Sequence, residues 1–402
     1  MDSKYGVFTK NGCIWCHNAV ELLNETNTPY ETWNCISWDD VDTALAEKRI
    51  RTPSTKTFPL ILKKDTKNGW KIIGGYDALT DAIDEPILAE NVHRFTLFPI
   101  QYPDLYEYYQ KALAAFWTPS EISLADDIDD WAKLSDDERF FIKHVLAFFA
   151  GSDGIVMENL AAHFATEVTV PEARQFYASQ ILMEAVHSEQ YSLLIDALAS
   201  PDEARVLFQA IDTMAPVRKK AAWAQKYLDP TKRFAERLVA FICVEGLLFS
   251  GSFCAIYWLK RRAVMPGLAL ANEFISRDEA LHYSFGIQLY SHLKHPLSFE
   301  AVRAIVEEAV ETELEFVIDA IPVRLIGMNA DLMCDYIKFC ADRLMTDLGY
   351  AKIYNKANPF PWMELIGLMG KSNFFERLES NYARAGVLAD ASEQVFGTDG
   401  DF

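Results

Sequence analysis

Glu279 and His282, in the stretch "ISRDEALHYSF" (275–285), repeat a pattern seen earlier as "EAVH", with Glu184 and His187. In each, a carboxylate is followed three residues later by an imidazole. On a helix that spacing puts both side chains on one face, one turn apart. Two further acids lie in similarly apolar segments: Asp153 in "GSDGIV" and Glu245 in "VEGLL". Four carboxylates buried together would repel one another and take up protons. Two divalent cations would cancel their charge and make the burial possible. Mixed oxygen and imidazole donors suit iron or manganese, with positions left open for dioxygen. One Glu-x-x-His occurs by chance and ordinarily faces solvent. Two of them, with acids on two further helices, predict a dinuclear metal site. Its ligands would be Asp153, Glu184, His187, Glu245, Glu279 and His282, the donor set of ferritin-like proteins with one Glu replaced by Asp.

These ligands need long buried helices to hold them. From about residue 100 to 370 apolar residues recur at helical spacing, as in "ARQFYASQILMEAVHSEQYSLLIDAL" and "NEFISRDEALHYSFGIQLYSHL". Such segments are apolar around most of their circumference, as in the centre of a bundle. "SGS" (250–252) is a poor helix former and predicts a local widening or kink. The segment Phe241–Leu259 is long enough for a bilayer. It contains Glu245, however, and no second segment resembles a span, so it reads as a core helix with no membrane role. The chain has 402 residues and a net charge of −20, which argues against nucleic-acid binding. Seven cysteines in so long a chain, and an N-terminus without an apolar signal core, point to a reducing, cytoplasmic setting.

Residues 1–83 read differently. They are close to charge balance, with 10 basic and 11 acidic side chains. Short β-branched and aromatic runs ("KYGVFTK", "FPLILKK") flank a helix-like "CHNAVELLNE", which predicts a small α/β domain. Cys13 and Cys16 form a C-x-x-C after a strand and at the start of a helix, a dithiol redox motif. A metal site is the alternative for two cysteines, but no second Cys or His pair lies nearby. The other five cysteines read as inert packing. Residues 84–99 read as a linker. Residues 371–402 lose periodicity and read as a flexible tail.

The region from about 96 to 402 resembles the small, radical-generating subunit of class I ribonucleotide reductase, in its eukaryotic-like branch. The resemblance rests on "FPIQYPDLYEYYQKALAAFWTPSEI", "LAFFAGSDGIV", "HSEQYSLLID", "VEGLLFSGSF", "LKRRAVMPGL", "ISRDEALH" and the terminal "DGDF". It implies the same six metal ligands. It also implies a stable tyrosyl radical on Tyr191, in an apolar pocket of Phe249, Phe253 and Ile275. Trp117 and Asp278 match residues that move electrons and protons towards the metals. Tyr382 matches a tail tyrosine that passes the radical to a separate large subunit. That subunit would bind the C-terminus through Val395, Phe396 and Phe402, and the chain would form a homodimer.

The N-terminal region resembles a glutaredoxin through "FTKNGCIWCHNAVELL", "TKTFPLIL" and "IGGYDAL". Cys13 would be the nucleophile, its thiolate stabilised by Lys10 and the helix N-terminus, and Cys16 would resolve the mixed disulfide. Phe58 and Pro59 match the cis-proline loop, and Gly75, Tyr76 and Asp77 the glutathione-binding turn. The expected fold is therefore a multidomain α/β plus all-α chain: a thioredoxin-like (glutaredoxin) domain followed by a ferritin-like bundle. The expected function is radical generation for ribonucleotide reduction, with the large subunit re-reduced by glutathione through the fused domain. A lone ferritin-like oxidase, an iron-storage bundle, and a glutaredoxin on a helical scaffold are the alternatives.

Overall fold

The computed structural model describes residues 4–53, 56–65, 69–92, 94–229, 231–320, 329–360 and 363. Tyr382, Val395, Phe396 and Phe402 lie outside the described residues.

The N-terminal unit comprises β1 (Tyr5–Thr9), α1 (Ile14–Glu25), β2 (Tyr30–Asn34), α2 (Trp38–Glu47), β3 (Leu60–Asp65), β4 (Gly69–Gly74) and α3 (Tyr76–Asp84). The strand order is β2-β1-β3-β4. β1 pairs parallel with β2, placing Val7 beside Thr32, and antiparallel with β3, placing Val7 beside Ile61. Side chains alternate across a strand, and the two faces carry separate cores. Tyr5, Val7 and Ile61 pack with Ala19 and Leu23 of α1 and Leu79 of α3. Phe8, Leu60 and Leu62 pack with Val41 and Leu45 of α2 on the other side.

The remainder is helical: α4 (Pro103–Ala114), α5 (Ala125–Trp131), α6 (Asp136–Asn159), α7 (Ala165–Glu167), α8 (Pro171–Leu198), α9 (Pro201–Phe208), α10 (Ala210–Thr213) and α11 (Ala215–Lys226). It continues through α12 (Phe234–Cys243), α13 (Ser250–Arg261), α14 (Pro266–Ser291), α15 (Phe299–Ala320) and α16 (Ala330–Asp347). Four helical segments carry the predicted ligands, and their starts are encoded locally. α6 begins with a capping box between Ser135 and Glu138. α8 and α14 each carry Pro in the first turn, where the missing N–H costs nothing. α14 has an additional cap from outside itself. The buried Asp127 of α5 accepts hydrogen bonds from Gly267 N (2.7 Å) and Leu268 N (2.6 Å). Gly267 is needed there, because a Cβ would come within 2.4 Å of the Ser123 carbonyl oxygen.

α12 and α13 are joined by one widened, π-type turn, Val244–Leu248. A break was expected at Ser250-Gly251-Ser252. It falls just before these residues and carries Glu245, while "SGS" continues as buried helix. The expected single long apolar segment is also joined by another. Both Asp136–Glu167 and Phe234–Arg261 are long and apolar enough to cross a membrane; 94% of the second one's most apolar stretch is buried in the bundle.

Residues expected to form a linker are laid onto the bundle. Ile87 is buried, and its carbonyl accepts from Thr169 N at 2.9 Å. Glu85 accepts from the backbone N–H groups of Lys294 (2.7 Å) and His295 (2.6 Å). Asp81 of α3 pairs with Arg233, at 3.0 Å from Oδ1 to Nη2.

Candidate metal centre

All six predicted ligands are buried, none more than 3% exposed. Glu184, Glu245, Glu279 and His282 place one ligand atom each within 4.8 Å of one another. His282 Nδ1 lies 3.1 Å from Glu184 Oε1, 3.0 Å from Glu279 Oε2 and 3.8 Å from Glu245 Oε2. His187 Nδ1 lies 3.2 Å from Glu279 Oε1 and 3.6 Å from Glu184 Oε2. Glu184 and Glu279 therefore each direct one oxygen at each imidazole, and sit between them. Glu245 joins the His282 end. Asp153 interacts electrostatically with Glu184 and, of the two imidazoles, most strongly with His187.

The electrostatics are those of a site built around positive charge. Burial, followed by the Glu184 charge, pushes Asp153 well above the usual carboxylate range. Burial and the neighbouring Glu279 do the same to Glu245. Burial disfavours charge on His187 and His282 too, but the facing carboxylates outweigh it and push both up. Both oxygens of Asp153, both of Glu184, Glu245 Oε2 and His187 Nδ1 make no hydrogen bond among the described residues. Buried carboxylate oxygens without partners are costly and uncommon. A hard-to-intermediate divalent cation is the partner that this donor set fits, and the paired arrangement around Glu184 and Glu279 accommodates two.

A second layer holds the candidate ligands. Asp278 Oδ2 accepts from Trp117 Nε1 at 2.7 Å and lies 3.2 Å from His187 Nε2. This fixes the His187 ring with Nδ1 towards the cluster. Arg277 holds the other oxygen of Asp278 (3.1 and 3.2 Å) and donates to the Ala115 carbonyl. Burial raises the Asp278 carboxyl, but Arg277, His187 and Trp117 together bring it below its ordinary value. Gln180 Nε2 donates to Glu245 Oε1 at 3.1 Å.

Tyr191 is 1% exposed, and its hydroxyl makes no hydrogen bond among the described residues. Burial, with Asp153, Glu279 and Glu184 nearby, pushes the phenol well above 10. Its ring stacks on Phe149, with centroids 4.6 Å apart. The expected pocket residues Phe249 and Phe253 make their ring contacts with Phe149, at 5.5 and 5.0 Å, and Ile275 is buried in the same core. Phe149 and Gln180 were not singled out from the sequence. Their signal was spacing: each lies four residues before a predicted ligand on its own helix, Phe149 before Asp153 and Gln180 before Glu184.

In the N-terminal unit Cys13 and Cys16 form a disulfide, and Cys13 is the N-cap of α1. Cys13 Sγ lies 3.7 Å from the Phe58 carbonyl oxygen, and the Phe58–Pro59 peptide bond is cis. The Lys10 side chain is exposed, and its carbonyl accepts from Cys13 N at 3.2 Å. Gly75 caps α3 against the Pro59 carbonyl, Tyr76 packs 5.6 Å from Trp15 between ring centroids, and Asp77 is exposed in the first turn.

Residues 94–359 match the family described as "Ribonucleotide reductase, small chain". The chain is 55% identical over 324 residues to the ribonucleoside-diphosphate reductase small chain of Nicotiana tabacum, covering 79% of this chain and 98% of that one. It is 54% identical over 319 residues to the vaccinia virus (strain Ankara) small chain, covering 79% of this chain and all of that one. Among solved structures it resembles the ribonucleotide reductase Rnr4 homodimer from Saccharomyces cerevisiae, with a TM-score of 0.66 and 38% identity. That match covers 71% of this chain and 91% of the yeast chain. Residues 1–83 precede the span matched to the family.

Proposed function

The chain belongs to the ribonucleotide reductase small-chain family, and from that premise we propose that it generates a radical on Tyr191 for the reduction of ribonucleoside diphosphates by a separate large subunit. Asp153, Glu184, His187, Glu245, Glu279 and His282 would hold two metal ions, iron or manganese. When bound, that pair supplies the one-electron oxidising power towards dioxygen chemistry that no side chain here has.

The chain's own residues do the rest. Asp278 locks His187 in place and links it to Trp117 by a continuous hydrogen-bonded path, and that path is the observation that carries the proposal. Arg277 keeps Asp278 ionised, so it accepts from both neighbours at once. Tyr191 keeps its proton in the resting state, because burial makes the phenolate costly. Its oxidation therefore removes a proton along with the electron. The ring then sits against Phe149, away from water and from hydrogen-bond donors that would hasten its reduction. Radical transfer out of the bundle would pass through Trp117 and, in the tail, Tyr382. Docking of the large subunit would use Val395, Phe396 and Phe402, and the active small subunit would be a homodimer.

Residues 1–83 we read as a thioredoxin-like glutaredoxin domain serving the same reaction. The sheet order, the disulfide at the start of α1 and the cis Phe58–Pro59 loop beside Cys13 support this reading. Cys13 would attack the disulfide left in the large subunit after each turnover, Cys16 would release it, and glutathione would restore both thiols. Lys10, Phe58, Pro59, Gly75, Tyr76 and Asp77 would frame the glutathione. Attachment to the small subunit keeps the reductant close to its target.

One experiment separates the parts. With the large subunit and glutathione as sole reductant, the intact chain should make deoxyribonucleotides. Cys13→Ser should do so only with an added dithiol, while keeping its tyrosyl signal. Full turnover of Cys13→Ser with glutathione alone would remove the fused domain from the reaction.

A further inference from the structure

A buried ion pair lies apart from the ligand cluster. Lys220 of α11 and Glu313 of α15 are 1% and 0% exposed, with Nζ 2.6 Å from Oε2. Lys220 Nζ also donates to the Leu248 carbonyl at 2.6 Å. It sits 3.3 Å from the Phe148 ring centroid and 4.0 Å from that of Phe316. Leu248 is the last residue of the widened turn, and Glu245 is its second. The preceding carbonyl, that of Leu247, takes a side-chain donor as well, from Ser250 Oγ at 2.7 Å. The Glu313 carboxylate lies against Gly251, where a Cβ would come within 2.6 Å of Oε1, and the Gly251 N–H favours its ionised form. In the middle of the turn, next to Glu245, the Tyr283 ring approaches Gly246 so closely that a Cβ there would come within 2.3 Å of it. The segment that carries Glu245 is thus gripped from both sides.

Such a pair is a poor source of stability. Taking a lysine and a glutamate out of water costs about as much as their attraction returns, and apolar replacements are often neutral. The cost is visible here: burial pushes Lys220 down to about 8 and Glu313 up to about 7. The location of the pair gives it a better reason to exist. A π-type turn holds one residue more than an α turn. If it relaxed, the side chains on one side would rotate by about 100° relative to those on the other. Glu245 would then leave its place beside His282.

We propose that Lys220 and Glu313 are positioning residues for Glu245, holding open the widened turn that directs its carboxylate into the cluster. The proposal rests on the metal-binding reading above. It predicts that the pair can be removed without unfolding the protein, and that the metal site will nevertheless suffer.

The test uses the full chain carrying Lys220→Met and Glu313→Leu together, which removes both buried charges and keeps apolar volume. Thermal melting and equilibrium Mn(II) binding, by dialysis and by the Mn(II) electron paramagnetic resonance spectrum, are read side by side. The expected result is a melting temperature within a few degrees of wild type, with at least one Mn(II) site weakened about ten-fold or more, the size of effect seen when an outer partner of a metal ligand is lost. Two Mn(II) per chain at wild-type affinity in the folded double variant would overturn the proposal. If the double variant does not fold, Gly251→Ala carries the test: it displaces the Glu313 carboxylate from the turn and should give the same loss, and unchanged affinity would again overturn it. Absence of Mn(II) binding in the wild type would instead refute the metal site itself.

Discussion

Phe149 and Tyr191 lie face to face, with ring planes 3° apart and centroids 4.6 Å apart. Phe149 is one turn before Asp153 on α6, and Tyr191 is one turn after His187 on α8. Each helix therefore presents one member of the stack beside one member of the ligand set. The Phe249 and Phe253 rings reach this stack through Phe149. The ring that covers Tyr191 directly is thus the one from α6, with Phe249 and Phe253 packed behind it.

Phe149→Leu should then leave metal content unchanged and cost about 1–2 kcal/mol of stability, since part of the ring volume is kept. The tyrosyl signal should form but decay several-fold faster, because the face of the ring is opened. Decay is followed by electron paramagnetic resonance after oxidation. A signal as long-lived as that of wild type would show that the stack does not protect the radical.

Trp117→Phe removes the indole N–H from Asp278 Oδ2 and leaves His187 and Arg277 in contact with that carboxylate. Metal content and the Tyr191 signal should persist. Nucleotide reduction with the large subunit should fall at least 100-fold, because Phe is too hard to oxidise to carry the hole. Normal turnover would place the relay elsewhere.

Glu167 and Arg237 tie α7 to α12, with Nη1 3.1 Å from Oε1. Burial alone would raise Glu167, but His163 and Arg237 outweigh it and hold the carboxyl at about 2, against 4.5 ordinarily. A depressed carboxyl contributes its stability above the unfolded value and loses it as pH falls. Glu167→Gln should thus cost on the order of 1–3 kcal/mol near neutral pH, and the gap to wild type should narrow between about pH 4.5 and about 2. Chemical denaturation at several pH values measures this. A gap independent of pH would mean that Glu167 contributes no charge to the contact.

The burial of the six candidate ligands was legible in the sequence because helix periodicity and acids in apolar segments are local signals. The Glu-x-x-His spacing needs only one turn of α8 or α14 to be read. What escaped was whatever depends on a second element. Asp127 caps α14 from α5, Phe149 meets Tyr191 across two helices, and Lys220 reaches Leu248 from α11. No spacing within one segment encodes such contacts. The widened turn was sensed from "SGS" but placed too late. The departure lies where the Tyr283 ring crosses Gly246 and Lys220 reaches the Leu248 carbonyl, contacts with other helices that the local sequence does not encode. The linker was placed where the α/β pattern gives way to the helical one, yet the Glu85 carboxylate and the Ile87 carbonyl fasten it to backbone N–H groups of the bundle.

Everything proposed here turns on one step, the oxidation of Tyr191 by a metal pair that the carboxylate–imidazole cluster would hold. The most direct measurement is one electron paramagnetic resonance spectrum of the metal-loaded, oxidised chain beside that of Tyr191→Phe at equal metal content. The account predicts about two metals per chain in both, and a tyrosyl signal in wild type that is absent from the variant. An unchanged radical signal in Tyr191→Phe, or no tyrosyl signal in fully loaded wild type, would contradict it.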